Sequence, residues 1–285
     1  MNRIGRFNVL RRLAAGDVAE VFACRREDTQ VAVELFRPKR SAIVRISTLP
    51  PDVVLERLCR RFRDEAELMA RFEHPNIVSV LEIGALDPGT PYYVMPYYPA
   101  SLASEVWQSP PPDRDPAIPL PRRAAKALPP DVALRRLRDI LAGLAAVHAD
   151  GVAHRDLKPK NVLVGSSGGA AISDFGVAKV PWPGYTPLRP AFGTPPFVSP
   201  EQLDRSGAAD ARSDVYAVGA IAYFIFTGEL PGADISAGRL NSLVSAPLSA
   251  WIINALHPNP DERAQTAAIL LRRLNEFMPG QERPD

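Results

Sequence analysis

The chain has 285 residues, 46% apolar and 23% charged, a globular balance that excludes wholesale disorder and suffices for one large domain or two packed lobes. Lys and Arg number 34 against 32 Asp and Glu, and the resulting +2 gives no electrostatic case for nucleic acid or an anionic membrane as partner. Two cysteines cannot build a disulfide framework, the longest apolar run (215–226) is too short to span a bilayer, and the N-terminus lacks the apolar core of a signal peptide. A cytoplasmic location with no membrane contact within this chain is the expectation.

Strand patterns come first, at 7–13, 19–25, 31–36, 77–83 and 92–95, each short, β-branched or aromatic, and bounded by turn residues. Between them, 52–72 reads as a helix with one buried stripe of Leu55, Leu58, Phe62, Met69 and Phe72. Glu65 fills the single gap in that stripe, so it is expected to point inward. Segment 107–130 holds eight prolines and can form neither helix nor central strand; it reads as an exposed insertion, with a domain linker as the rival. Helical patterns follow at 131–148, 210–227, 248–256 and 264–276. A strand-rich first third and a helical remainder make an α+β arrangement, expected to hold a cleft between two lobes.

The chemistry concentrates in His154-Arg155-Asp156-Leu157-Lys158-Pro159-Lys160-Asn161, followed thirteen residues after Asn161 by Asp174-Phe175-Gly176, and then by Ser199-Pro200-Glu201. An Asp, a Lys and an Asn on one tight loop supply a base, a cation and a neutral metal ligand. A second carboxylate on a following loop supplies the hard oxygen that Mg²⁺ prefers. Phosphoryl transfer needs this set: a carboxylate for the hydroxyl nucleophile, a cation on the moving phosphoryl, and ligands for metal on the nucleotide phosphates. A lone tripeptide recurs by chance; the whole string in this order and spacing is specific.

On these motifs the sequence resembles the protein kinase family, most closely the eukaryotic-like serine/threonine kinases of bacteria, over nearly the whole chain. The resemblance implies one kinase domain: a small antiparallel β-sheet lobe with one regulatory helix (about 1–95), a hinge (about 96–98) and a larger, mostly helical lobe (about 99–276). It implies ATP with Mg²⁺ or Mn²⁺ as cofactors and a protein substrate, whose identity, like the oligomeric state, the residues do not reveal. By it, Asp156 orients the substrate hydroxyl, Lys158 contacts the transferred phosphoryl, and Asn161 and Asp174 hold the metal. Leu13, Val21 and Leu163 sandwich the adenine, Ala32 touches it, Met95 is the gatekeeper, and Pro96 and Tyr98 supply the hinge carbonyl and N–H. Arg263 pairs with Glu201, and Asp214 ties its long helix to the catalytic loop. Arg155 implies a phosphate on the activation segment, with Thr186 the favoured site over Thr194, Ser199 and Tyr185.

Two departures stand out. The glycine-rich loop reads Ala14-Ala15-Gly16-Asp17-Val18-Ala19, retaining only its middle glycine, which predicts weaker nucleotide binding. More severely, Val31-Ala32-Val33-Glu34 ends in glutamate where the family places the lysine that grips the phosphates. With Glu65 as its expected helix partner, either one carboxyl stays protonated, or a cation intervenes, or the helix swings outward. Lys39 is poorly placed to substitute, and Arg25 and Arg61 are the remaining candidates. Two classes therefore stand: an ATP-dependent serine/threonine kinase of reduced activity, favoured by the whole large-lobe set, and a pseudokinase acting as a nucleotide- or protein-binding scaffold.

Overall fold

Alternation of apolar and polar residues in the first hundred positions yields six strands: β1 (Arg3–Ile4), β2 (Phe7–Ala15), β3 (Ala19–Arg26), β4 (Thr29–Phe36), β5 (Glu82–Leu86) and β6 (Thr90–Pro96). The computed structural model describes residues 2–86, 89–107, 125–175, 196–204, 209–232, 240 and 242–276. The chain divides into two units, one of residues 1–99 with 173–189, the other of 100–172 with 190–285.

In the first unit the strands form one antiparallel sheet in the order β1-β2-β3-β4-β6-β5. Successive side chains point to opposite faces. One face buries Ile4, Phe7, Phe22, Cys24, Val31, Val33, Leu35, Tyr92 and Val94 together. The other carries Ala32, Glu34, Phe36, Tyr93 and Met95, with α2 (Pro51–Ala70) against it: Phe62 lies 5.7 Å from Phe36 and 5.4 Å from Tyr93, ring centroid to centroid. The buried stripe of α2 is Val54, Leu58, Phe62, Ala66 and Met69. Leu55, expected inside, is 40% exposed, because it lies 100° around the helix from Val54, which takes that place. A short helix, α1 (Arg40–Ile46), precedes α2 and has no counterpart in the sequence expectation. The strand expected at 77–83 begins only at Glu82. Ile77 and Val78 are both buried, so the alternation a strand requires is broken there.

The second unit pairs β7 (Ala100–Ser101), β8 (Val162–Val164) and β9 (Ala170–Ile172) in a small antiparallel sheet. Among the described residues its helices are α3 (Leu102–Val106), α4 (Pro130–Ala149), α5 (Pro200–Asp204), α6 (Ala211–Thr227), α7 (Ala246–Ala255) and α8 (Ala267–Glu276). Helix α6 is apolar almost all round and is packed by α4, α7 and α8. It stops at Gly228, whose φ of +70° suits glycine and whose N–H caps the Phe224 carbonyl at 2.8 Å. Arg136, 5% exposed, is neutralised by both oxygens of Glu105 at 2.9 and 2.6 Å. The proline-rich insertion is anchored where it leaves and re-enters: Trp107 bridges Ala125, and the Lys126 N–H donates to the Val106 carbonyl at 2.8 Å. Residues 108–124 lie outside the described residues.

The close approach of α6 and α7 gives a test of the core. A Cβ on Gly219 would sit 2.8 Å from Ala255 Cβ and 3.0 Å from Leu256 Cγ. Gly219→Val is expected to cost about 1–3 kcal/mol by overpacking, read as a lower midpoint in urea denaturation.

Candidate active site

The loop carrying Asp156 is built from the backbone outward. Asp214, near the start of α6 and 1% exposed, accepts the His154 N–H at 2.7 Å, the Arg155 N–H at 2.8 Å and His148 Nε2 at 2.9 Å. The Ala267 N–H donates to His148 Nδ1 at 3.1 Å, so the ring's proton sits on Nε2 and points at Asp214. Arg155 has φ +64°, a left-handed conformation strained for a side chain of this size. It is held there from several sides: its N–H by Asp214, its carbonyl by Gln202 Nε2 at 3.0 Å, and its own Nε by the Ala209 carbonyl at 3.1 Å.

That constraint presents three polar side chains together. Lys158 Nζ lies 2.8 Å from Asp156 Oδ2, and Asn161 Nδ2 donates to the Asp156 carbonyl at 3.0 Å and to Oδ2 at 3.4 Å. Asn161 sits on a 3-10 turn, Pro159–Asn161, and is 4% exposed. Glu201 is locked by Arg263, whose two terminal nitrogens reach its oxygens at 2.8 and 3.0 Å, and by Ser213 Oγ at 2.8 Å. Burial alone would raise its carboxyl; these bonds outweigh it and bring the pKa to about 2. His148, Gln202 and Ser213 were not anticipated, since only tertiary pairing shows what they bind.

In the first unit the register sets Glu34 directly opposite Tyr93 on β6. The Tyr93 hydroxyl, on a side chain 2% exposed, donates to Glu34 Oε2 at 2.5 Å. Burial first, then the neighbouring Asp174 carboxylate, push the Glu34 carboxyl up to about 8, with the Tyr93 hydrogen bond opposing only in part. Glu34, Asp174 and Glu65 all bear on the Tyr93 phenol, which burial and those charges hold well above its ordinary value. To the expected neighbour Glu65, which bears on the same phenol, the structure adds Asp174, whose charge acts on Glu34, and Tyr93, its hydrogen-bond partner. Lys39 pairs with Asp17 at 3.5 Å, and Arg25 is exposed at the far end of β3.

The other expected nucleotide residues fall as follows. Ala32 and Met95 are buried and opposite each other on β4 and β6, and Leu13 and Val21 are partly buried on β2 and β3. Pro96 closes β6, and Tyr98 follows it, partly buried. Gly16 turns β2 into β3, its N–H on the Ala19 carbonyl at 2.8 Å, an approach a Cβ would crowd at 3.1 Å. Asp174 has φ +56°, and Phe175 behind it is fully buried and stacks on Phe72 at 5.8 Å. All of these belong to the first unit; Leu163, on β8, belongs to the second with Asp156 and Asn161. Gly176, Lys179, Tyr185, Thr186 and Thr194 lie outside the described residues.

Residues 7–283 match the protein kinase domain family. The chain belongs to that family. Its curated relatives include the serine/threonine-protein kinase PknB of Mycobacterium leprae, 30% identical over 78% of this chain and 36% of that protein. PknL of Mycobacterium tuberculosis is 34% identical over 73% of this chain and 49% of its own. This chain therefore spans between a third and a half of the length of these relatives. Among solved structures, the PknI kinase domain of Mycobacterium tuberculosis superposes with a TM-score of 0.65 over 95% of both chains at 23% identity, a likeness of fold. The two-part architecture, an antiparallel sheet with a helix and a helical unit, is that of a kinase domain.

Two outcomes follow for this kinase domain. Asp214→Ala strands three buried donors, each costing about 1–3 kcal/mol when unpaired, and is expected to produce a large loss of stability in chemical denaturation. Glu34 titrates near 4.5 when unfolded and near 8 when folded, so between those values the folded chain binds more protons. Its share of stability is accordingly present at low pH and lost as pH rises through that window. Thermal midpoints across it are expected to fall more steeply for the wild type than for Glu34→Gln.

Proposed function

We propose that the chain is an ATP-dependent serine/threonine protein kinase domain, spanning small lobe, hinge and large lobe as the sequence divides them, and restrained at Glu34. The observation that supports it most is the Asp156, Lys158 and Asn161 cluster on a loop fixed through Asp214. Asp156 accepts the proton of a substrate serine or threonine hydroxyl as its oxygen attacks the γ-phosphorus and the bond to the ADP oxygen breaks. Lys158, already on Asp156, neutralises the moving phosphoryl.

The donor set suits a hard cation, since Asn161 and Asp174 offer oxygens and Mg²⁺ needs few protein ligands beside phosphates and water. Bound there, Mg²⁺ or Mn²⁺ offsets nucleotide charge. Asn161 and Asp174 are the residues that would hold it. The adenine would take Leu13, Val21, Ala32, Leu163 and Met95, with Pro96 and Tyr98 at the hinge and Gly16 near the phosphates.

Glu34 favours the second reading, a pseudokinase scaffold, because the strand position that should attract phosphates carries a carboxyl bonded to Tyr93. Labelled ATP with Mg²⁺ or Mn²⁺ and a generic protein substrate decides between them. Transfer abolished by Asp156→Asn supports the kinase, and nucleotide binding without transfer supports the scaffold. Removing one preorganised electrostatic group typically costs about 100- to 1,000-fold in rate. Glu34→Lys, which reverses that loss while the alanine-substituted loop stays, is expected to raise transfer at least about tenfold. No activity in either form would overturn the kinase reading.

A further inference from the structure

Lys160 stands in the middle of the 3-10 turn that positions Asn161, on the loop that presents Asp156. Its side chain is exposed, and among the described residues no hydrogen bond or ion pair reaches it. Two acidic groups on the elements that carry or pack on this turn are already engaged: Asp156 by Lys158, and Glu105, on the helix α3, by Arg136. A second exposed lysine, Lys126, is fixed through its backbone N–H to the last residue of α3 and likewise has no side-chain partner among the described residues. Among the described residues the loop that presents the candidate base thus has its Asp156 carboxylate paired internally and its Lys160 ammonium open.

Resting on the kinase reading above, we propose that the substrate is a protein segment with acidic side chains flanking the phosphoacceptor hydroxyl, and that Lys160 is the residue that selects it. A hydroxyl within hydrogen-bond reach of Asp156 brings its neighbours, spaced about 3.8 Å per Cα, past the turn that carries Lys160. An acidic neighbour there meets an unneutralised cation, and a basic neighbour meets a like charge. One exposed ion pair contributes up to about fivefold in affinity, and salt screens it.

The test uses fluorescein-labelled peptides that share one serine or threonine and differ only in Asp/Glu or Arg/Lys flanks. Binding is read by anisotropy and phosphoryl transfer by label incorporation. Tighter binding of the acidic peptide by about fivefold or more is expected, shrinking as salt rises. Lys160→Arg keeps the preference, Lys160→Ala reduces it and Lys160→Glu inverts it. Equal binding of the two peptides, or a preference unmoved by Lys160→Glu, overturns the inference. The two readings fail separately: transfer to both peptides alike leaves the kinase standing without this specificity. Selective binding of the acidic peptide without any transfer leaves the specificity standing on a scaffold.

Discussion

A single buried carboxylate, Asp214, accepts N–H groups from His148, His154 and Arg155, and the loop that presents Asp156 takes its shape from those three bonds. Burying a charge is costly unless it is fully hydrogen-bonded, so the acid and its donors are mutually dependent. The strained backbone of Arg155 persists because Asp214 holds its N–H while Gln202 holds its carbonyl. Asp156, Lys158 and Asn161 inherit their separations from that fixed backbone. The anchor also reaches α8, through the Ala267 N–H that sets the His148 tautomer.

The first unit solves a different problem. Its sheet and α2 enclose Glu34, Tyr93, Glu65 and Asp174 as near neighbours. A lysine at position 34 would neutralise such a cluster by charge; here a phenolic hydroxyl donates one hydrogen bond, and the Glu34 carboxyl is pushed toward its protonated form. A protonated carboxyl repels a phosphate far less than a carboxylate does, which moderates the conflict that the residue's identity alone suggests.

Much of this was legible in the residue order. The loop and its following Asp-Phe-Gly follow from motif spacing, and the five longest helices among the described residues from apolar periodicity, whereas the Arg263–Glu201 pair and the role of Asp214 came only through the family resemblance. Leu55 was misplaced because two adjacent apolar residues, Val54 and Leu55, offer the helix two competing stripes, and only packing chooses between them. Helix α1 went unseen because it is short and its N-cap, Lys39, makes no side-chain cap. Tyr93 reads as one more apolar strand residue until register sets it opposite Glu34. Contacts between residues 59 positions apart leave no periodic trace.

The replacement at position 34 also changes what chemistry the strand offers to reagents. An amine acylator delivered on a nucleotide, aimed at the lysine that kinase domains usually place on this strand, meets at that position of β4 a carboxyl, hydrogen-bonded to the Tyr93 phenol of β6. Profiling that scores kinases by acylation of the strand lysine would therefore pass over this domain whether or not it turns over ATP.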